Sequence, residues 1–255
     1  MWLRTGRSYD YDLIVIGAGI AGMTAAVTAN ALGKRVAVVE RGKTGGNCTN
    51  FTCIPSKTLI RLSHTNREIS RLVSLDLLAG EAPSVNGRRV TDHVRSVVRT
   101  AYEKDLPETF ETIGIDMISG AAAFGDRRRI EVNGRTISAS NFILAVGTRP
   151  LIPPIPGINE IDYLTNETLY ESDELPGSLI ILGGGVDGLE YGSAFGRLGV
   201  EATIVEMGSR LLPAADREQA NVLERTLRQE GIRLMLGTKA TGLMKRRGKV
   251  VLAFD

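Results

Sequence analysis

Cys48 and Cys53 are the whole cysteine inventory, with four residues between them, within Gly45-Gly46-Asn47-Cys48-Thr49-Asn50-Phe51-Thr52-Cys53-Ile54-Pro55-Ser56-Lys57. Two thiolates are too few ligands for a metal, and neither His64 nor His93 is close in sequence, so no metal site is expected. The opening Met1-Trp2-Leu3-Arg4 lacks a long apolar h-region, which points to a cytoplasmic setting whose reducing conditions disfavour a purely structural disulfide. A redox-active pair remains. Helical character from Lys57 through Leu72 puts Cys53 near a helix N-terminus, where partial positive charge stabilises a thiolate. By itself the C-x4-C spacing also accommodates two inert thiols.

The second constellation is glycine. Tyr11-Asp12-Leu13-Ile14-Val15-Ile16 reads as a buried strand that enters Gly17-Ala18-Gly19-Ile20-Ala21-Gly22, a glycine turn opening a helix. An offset of 166 carries Gly17, Gly19 and Gly22 onto Gly183, Gly185 and Gly188, Leu32-Gly33 onto Leu198-Gly199, and Glu40 onto Glu206. Each copy is a strand, a G-x-G-x-x-G turn, a helix, a second strand and an acid 23 residues beyond the first glycine. The first glycine makes the tight turn, the second admits a pyrophosphate to the backbone, and the third permits close helix–strand packing. The helix N-terminus offers unpaired N–H groups to the phosphates, and the acid accepts hydrogen bonds from a ribose. Two dinucleotide sites are expected, and beside them the inert reading of the cysteines recedes. Glu206 would repel a 2′-phosphate, which favours NAD over NADP, although Arg210 lies four residues on.

These sites need positioning elements, and the chain is long enough for two. Its 255 residues are 43 % hydrophobic and 24 % charged, an ordinary globular balance. No apolar run approaches the roughly 18 residues that span a bilayer. A net charge of +2 with one Trp, six Tyr and six Phe gives no nucleic-acid surface, and Arg127-Arg128-Arg129 reads as a solvated turn in a β-meander. The expected fold class is α/β, with two Rossmann-like units that each carry a parallel sheet and a meander. The expected division is 1–150, a proline-bearing linker at 151–170, and 171–255. Two amphipathic helical stretches between Ile69 and Tyr102 break around Gly80–Gly87, and a hairpin through Lys245–Phe254 turns at Arg247-Gly248.

The motifs together resemble the pyridine nucleotide-disulfide oxidoreductases, the group of dihydrolipoamide dehydrogenase, glutathione reductase and mercuric reductase. The resemblance rests on Gly17–Gly22, Glu40, Gly46–Lys57, Ala145-Val146-Gly147-Thr148-Arg149-Pro150, Gly183–Glu190 and Glu206. Cys53-Ile54-Pro55-Ser56-Lys57 is most similar to lipoamide dehydrogenases and mercuric reductases, and Leu212-Pro213-Ala214-Ala215-Asp216 resembles lipoamide dehydrogenases. The resemblance implies that the first unit holds FAD through Gly17, Gly19, Gly22, Glu40, Arg41, Gly46, Asn47, Lys57, Ala122, Gly147 and Thr148. It implies that the second holds the nicotinamide cofactor through Gly183, Gly185, Gly188, Glu206 and Ala240. Cys53 then matches the thiol that stacks on the flavin, Cys48 the thiol that exchanges with substrate, and Lys57 with Glu190 an ion pair beside the flavin.

The implied activity passes electrons between NADH and a small-molecule disulfide or dithiol. Mercuric ion or a low-molecular-weight disulfide are the other substrates, and a diaphorase or a non-catalytic nucleotide-binding fragment are the rivals. Family members continue past Asp255, so a C-terminal dimerisation domain with its acid–base histidine is expected to be absent, and with it the family's homodimer. A fragment, a split gene and a short protein remain open, and an exposed apolar sheet edge is expected. Thr52 stands where the family has Gly and so restricts positive φ. Asp187 replaces an apolar residue, either as a solvated helix-start acid or as a repulsive charge near the pyrophosphate.

Overall fold

The computed structural model describes residues 9–255. The Met1–Arg4 opening lies outside them. The described chain divides into two compact units that are each discontinuous in sequence: residues up to Ile54 with Val97–Arg149, and Pro55–Ser96 with Pro150–Asp255. This differs from the contiguous cut at 150, because residues 55–96 group with the later segment. Polar and apolar contacts both join them: Asn66 donates to the Arg197 carbonyl at 2.8 Å, Arg95 reaches the Tyr170, Glu171 and Ser172 carbonyls at 2.8–3.0 Å, and buried Leu59 and Val94 line one cavity with Leu169 and Phe195.

In the first unit, β1 (Tyr11–Ile16), α1 (Ile20–Ala31) and β2 (Val36–Glu40) form a parallel βαβ crossover, and β3 (Ile115–Ser119) adds to β2. A meander of β4 (Ala123–Asp126), β5 (Arg129–Val132) and β6 (Arg135–Leu144) returns β6 parallel to β1, giving the order β3-β2-β1-β6-β5-β4. Successive β1 side chains face opposite ways. Leu13 and Val15 therefore pack on Met23 and Ala26 of α1, whereas Ile14 packs on Ile130, Val132 and Ala139 of the meander. Both faces are covered, which explains the uninterrupted apolar run.

In the second unit, β7 (Ser178–Leu182), α6 (Val186–Arg197) and β8 (Glu201–Glu206) repeat that crossover, followed by α7 (Arg217–Gln229) and β9 (Arg233–Leu236). Asp216 caps α7 by accepting from the Glu218 and Gln219 N–H groups. The strands β10 (Ala240–Arg246) and β11 (Lys249–Phe254) form the hairpin, with Arg247 at φ +51 and Gly248 at φ +77 as a primed turn requires. Ile180 is 39 % exposed where its counterpart Ile14 is fully buried, since no meander residue packs on that face among the described residues. Ile143 and Leu144, at the end of β6, are exposed as well.

Two helices carry the rest. Helix α3 (Cys53–Ser74) buries Ser56, Leu59 and Ser63, a spacing that marks one face, and keeps Pro55 in its first turn where the missing N–H is harmless. Helix α4 (Gly87–Tyr102) buries Thr91 and Val94, a short α2 (Gly46–Asn50) precedes α3, and a short α5 (Pro107–Glu111) precedes β3. No helix among the described residues is long and apolar enough to cross a membrane.

Candidate functional site

The first glycine turn is shaped by close backbone approach. Gly17 takes φ +105, and a Cβ there would sit 2.2 Å from the Ala145 oxygen. A Cβ on Gly22 would sit 1.9 Å from the Gly17 oxygen, so the helix packs on the strand only without one. A Cβ on Gly19 would meet nothing nearer than Gly46 Cα at 3.8 Å, and Gly46, at φ +56, touches that same glycine. The uncapped N-terminus of α1, with no acid in its first turn, faces this small-residue wall. Beneath it the Thr44 hydroxyl is buried without a hydrogen-bond partner among the described residues. Unpaired helix N–H groups, a wall free of side chains and an orphaned buried hydroxyl fit a nucleotide pyrophosphate.

Glu40 closes the turn. Its carboxylate accepts the Ala18 N–H at 2.6 Å and the Gly42 N–H at 2.7 Å, while its carbonyl accepts the Gly120 N–H at 2.8 Å. The neighbouring Arg41 is exposed, and the half-buried Ala122 lies two residues past Gly120, so both border the end of β2. Asn47 donates to the Thr148 carbonyl at 3.0 Å, which brings α2 to the Gly147-Thr148 turn, where Gly147 takes φ +65.

The second turn copies the first. Gly183 takes φ +111, a Cβ on Gly188 would sit 2.1 Å from the Gly183 oxygen, and a Cβ on Gly185 would meet nothing within 4 Å. Glu206 accepts the Gly184 and Gly208 N–H groups, each at 2.6 Å, and its carbonyl accepts the Thr238 N–H at 3.0 Å, two residues before Ala240. The copies differ in their surroundings: a Cβ on Gly183 would meet nothing within 4 Å where one on Gly17 meets the Ala145 oxygen, and exposed Asp187 stands in the first turn of α6. Gly184 was not singled out from sequence, yet a Cβ there would come within 2.8 Å of Leu211 and 3.1 Å of Glu206.

Both cysteines are half-buried thiols, Cys48 in α2 and Cys53 as the first residue of α3. The turn between them folds on the Asn47 carbonyl, which accepts the Phe51 and Thr52 N–H groups at 2.8 Å. Asn50 donates to the Thr44 and Gly46 carbonyls at 2.9 Å, and Thr49 to Asp105 at 2.8 Å. Thr52 is not among the positive-φ residues, so threonine costs no backbone strain there.

Lys57, one turn into α3, reaches Glu190 of α6 with Nζ 2.6 and 2.8 Å from the two carboxylate oxygens. Ser56, 3 % exposed, donates to Glu190 Oε2 at 2.8 Å. Sequence reasoning passed over Ser56, because a serine in a first helical turn carries no periodic or charge signal. Beside Glu190, burial raises the Tyr170 hydroxyl far above the ordinary phenol range, and the neighbouring Tyr191 and Glu190 push it the same way. Further along α3, Arg67 and Arg197 share Glu230 at 2.7–2.9 Å, and His64 Nε2 lies 3.0 Å from Arg197 Nη1. The guanidinium can only donate there, so the exposed His64 ring accepts. His93 is exposed.

Two glycine-turn βαβ crossovers with a clamping acid in each, preceding and following a C-x4-C helix start, define a dinucleotide-binding α/β redox protein. The chain belongs to the pyridine nucleotide-disulphide oxidoreductase family, whose pattern it matches over residues 11–254. It is 37 % identical to a mercuric reductase of Staphylococcus aureus, covering 91 % of this chain and 42 % of the relative. It is 35 % identical to a dihydrolipoyl dehydrogenase of Thermus scotoductus, covering 92 % and 50 %. A solved HOCl-induced flavoprotein disulfide reductase, RclA from Escherichia coli, superposes with a TM-score of 0.81 at 30 % identity, covering 95 % of this chain and 53 % of that one. The chain thus spans about half the length of the relatives it matches.

Proposed function

We propose that this chain is the nucleotide- and disulfide-bearing part of an FAD- and NADH-dependent disulfide oxidoreductase acting on a small-molecule disulfide or dithiol. The carrying observation is the Lys57–Glu190 pair: helix α3, which starts at Cys53, is tied within one turn to the helix of the second glycine motif. FAD, when bound, supplies the two-electron carrier between nicotinamide and sulfur. Gly17, Gly19, Gly22, Glu40, Arg41, Gly46, Asn47, Ala122, Gly147, Thr148 and Lys57 are the residues assigned to hold it. The nicotinamide dinucleotide is assigned to Gly183, Gly185, Gly188, Glu206 and Ala240.

The cysteines then work as an exchange pair. Cys48 thiolate attacks a substrate disulfide and expels one thiolate, and Cys53 thiolate attacks the mixed disulfide to release the second. The Cys48–Cys53 bond formed leaves the pair oxidised by the two electrons that the substrate gained, and each released thiolate takes a proton from solvent; the reverse sequence oxidises a dithiol.

Two further observations support details. Arg210 donates to the Ala215 carbonyl at 3.1 Å and to the Pro213 carbonyl, so its guanidinium is engaged by the turn before α7, in keeping with NADH over NADPH. Mercuric reductases among the relatives favour mercuric ion as a second substrate reading. The test is Cys48→Ser in protein reconstituted with FAD. NADH-driven reduction of lipoamide should vanish while dye reduction survives; loss of both, or of neither, would contradict the assignment of Cys48.

A further inference from the structure

Thr52 Oγ1 donates to the Asn47 carbonyl at 3.1 Å and stands 3.8 Å from Cys53 Sγ. The Asn47 oxygen already receives two shorter donors, the Phe51 and Thr52 N–H groups at 2.8 Å. A carbonyl oxygen has two lone pairs, so the hydroxyl is a third and dispensable donor. It can turn away without leaving an acceptor unpaired, and the Cys53 sulfur, 3.8 Å off, stands within its reach. A neutral thiol makes little claim on that proton. A thiolate makes a strong one, since a charged acceptor binds a hydroxyl about twice as strongly as a neutral one.

We propose that Thr52 is a positioning residue for the Cys53 thiolate. When Sγ–H gives its proton to solvent, the Thr52 O–H turns from the Asn47 oxygen to the sulfur; only the S–H bond breaks, and no electrons are transferred. The hydroxyl thereby stabilises the form of Cys53 that the exchange sequence needs, beside the first N–H groups of α3. The consequence for turnover rests on the redox reading of the pair, whereas the hydrogen-bond switch does not.

The experiment is the rate of Cys53 alkylation by iodoacetamide at neutral pH, followed by peptide mass spectrometry in the full chain. Thr52→Val keeps the shape and removes the hydroxyl, and Thr52→Ser keeps the hydroxyl. Thr52→Val should slow alkylation about fourfold, the loss of thiolate being partly offset by greater intrinsic nucleophilicity. Thr52→Ser should hold the rate of the unsubstituted protein. Equal rates for all three proteins, or equal slowing in both variants, would overturn the proposal. If circular dichroism shows Thr52→Val misfolded, Thr52→Ala is read by the same criterion. Oxidised glutathione tests the redox reading separately: failure to link Cys48 to Cys53 would remove that reading and leave the alkylation result to judge Thr52.

Discussion

Glu40 and Glu206 perform the same structural task in two copies of one motif. Each carboxylate bridges the N–H inside its G-x-G turn and the N–H two residues beyond itself, through four contacts of 2.6–2.7 Å. Their second oxygen lone pairs stay available, since an ionised carboxylate offers about four acceptor sites. The acid therefore sets the turn, and under the proposed function the same carboxylate would also accept from a ribose.

Removing that clamp should cost affinity before it costs fold. Glu206→Ala is expected to raise the NADH dissociation constant by about tenfold or more, since two charge-assisted bonds are lost. Glu206→Gln, which keeps one acceptor oxygen, should fall between. Titration calorimetry reads both, and an unchanged constant for Glu206→Ala would deny the carboxylate its role. The unsubstituted chain should bind NADH more tightly than NADPH.

The glycines of the second turn should separate by function. Gly188→Ala places Cβ 2.1 Å from the Gly183 oxygen, an overlap that backbone must absorb, and should destabilise by about 2–3 kcal/mol. Gly185→Ala meets nothing within 4 Å and lies at φ −79, so its cost should stay near the ~1 kcal/mol of a poorer N-cap. It should nevertheless weaken NADH binding, because the open space is where the pyrophosphate is assigned. Urea unfolding and NADH titration on both variants check the contrast.

Ser56 should matter more to the Lys57–Glu190 pair than the charges alone do. Lys57 is 60 % exposed and Glu190 20 %, so solvent screening limits that ion pair to less than about 1 kcal/mol. The buried Ser56 hydroxyl, donating to a carboxylate, is worth about 1–2 kcal/mol. Ser56→Ala should lower unfolding free energy by that amount, and a double-mutant cycle with Glu190→Gln should show a coupling near 1 kcal/mol. Strict additivity would show that the hydroxyl does not hold Glu190.

Two groups at the start of β1 set opposite pH limits. Burial and the hydrogen bond donated to Asp116 push Tyr11 up to about 12 from 10.0. Its contribution is full below pH 10.0 and is lost as pH rises through about 12, so its phenol should not ionise by absorbance until well above pH 10. The Ser138 hydroxyl and N–H hold the Asp10 carboxyl below its ordinary 3.8. That contribution is present above 3.8 and lost as pH falls through the lower folded value. Asp10→Asn should therefore reduce stability at neutral pH and become neutral in strong acid.

Much of the architecture was readable because its determinants are local. The offset of 166 that joins Gly17 to Gly183 also carries Ile20–Ala31 onto Val186–Arg197, the bounds of α1 and α6. Arg247-Gly248 likewise announces its turn through backbone preference alone. What could not be read depends on tertiary placement. Nothing about Asn66, Arg67 or Glu230 in sequence says that α3 packs with α6 and α7, and so nothing there divided the chain at 55 and 97. The same holds for Ser56 and for Gly184, whose neighbours Leu211 and Glu206 come from distant segments.

The proposed function requires that the chain bind FAD and NADH and that the Cys48–Cys53 pair exchange electrons with the flavin. The most direct measurement is an absorption spectrum of the purified chain with FAD, followed by anaerobic addition of NADH. A flavin band that gives way to a long-wavelength charge-transfer band, lost in Cys53→Ser, is the result expected. A protein that cannot be reconstituted with FAD, or a flavin that NADH bleaches identically in Cys53→Ser, would contradict it.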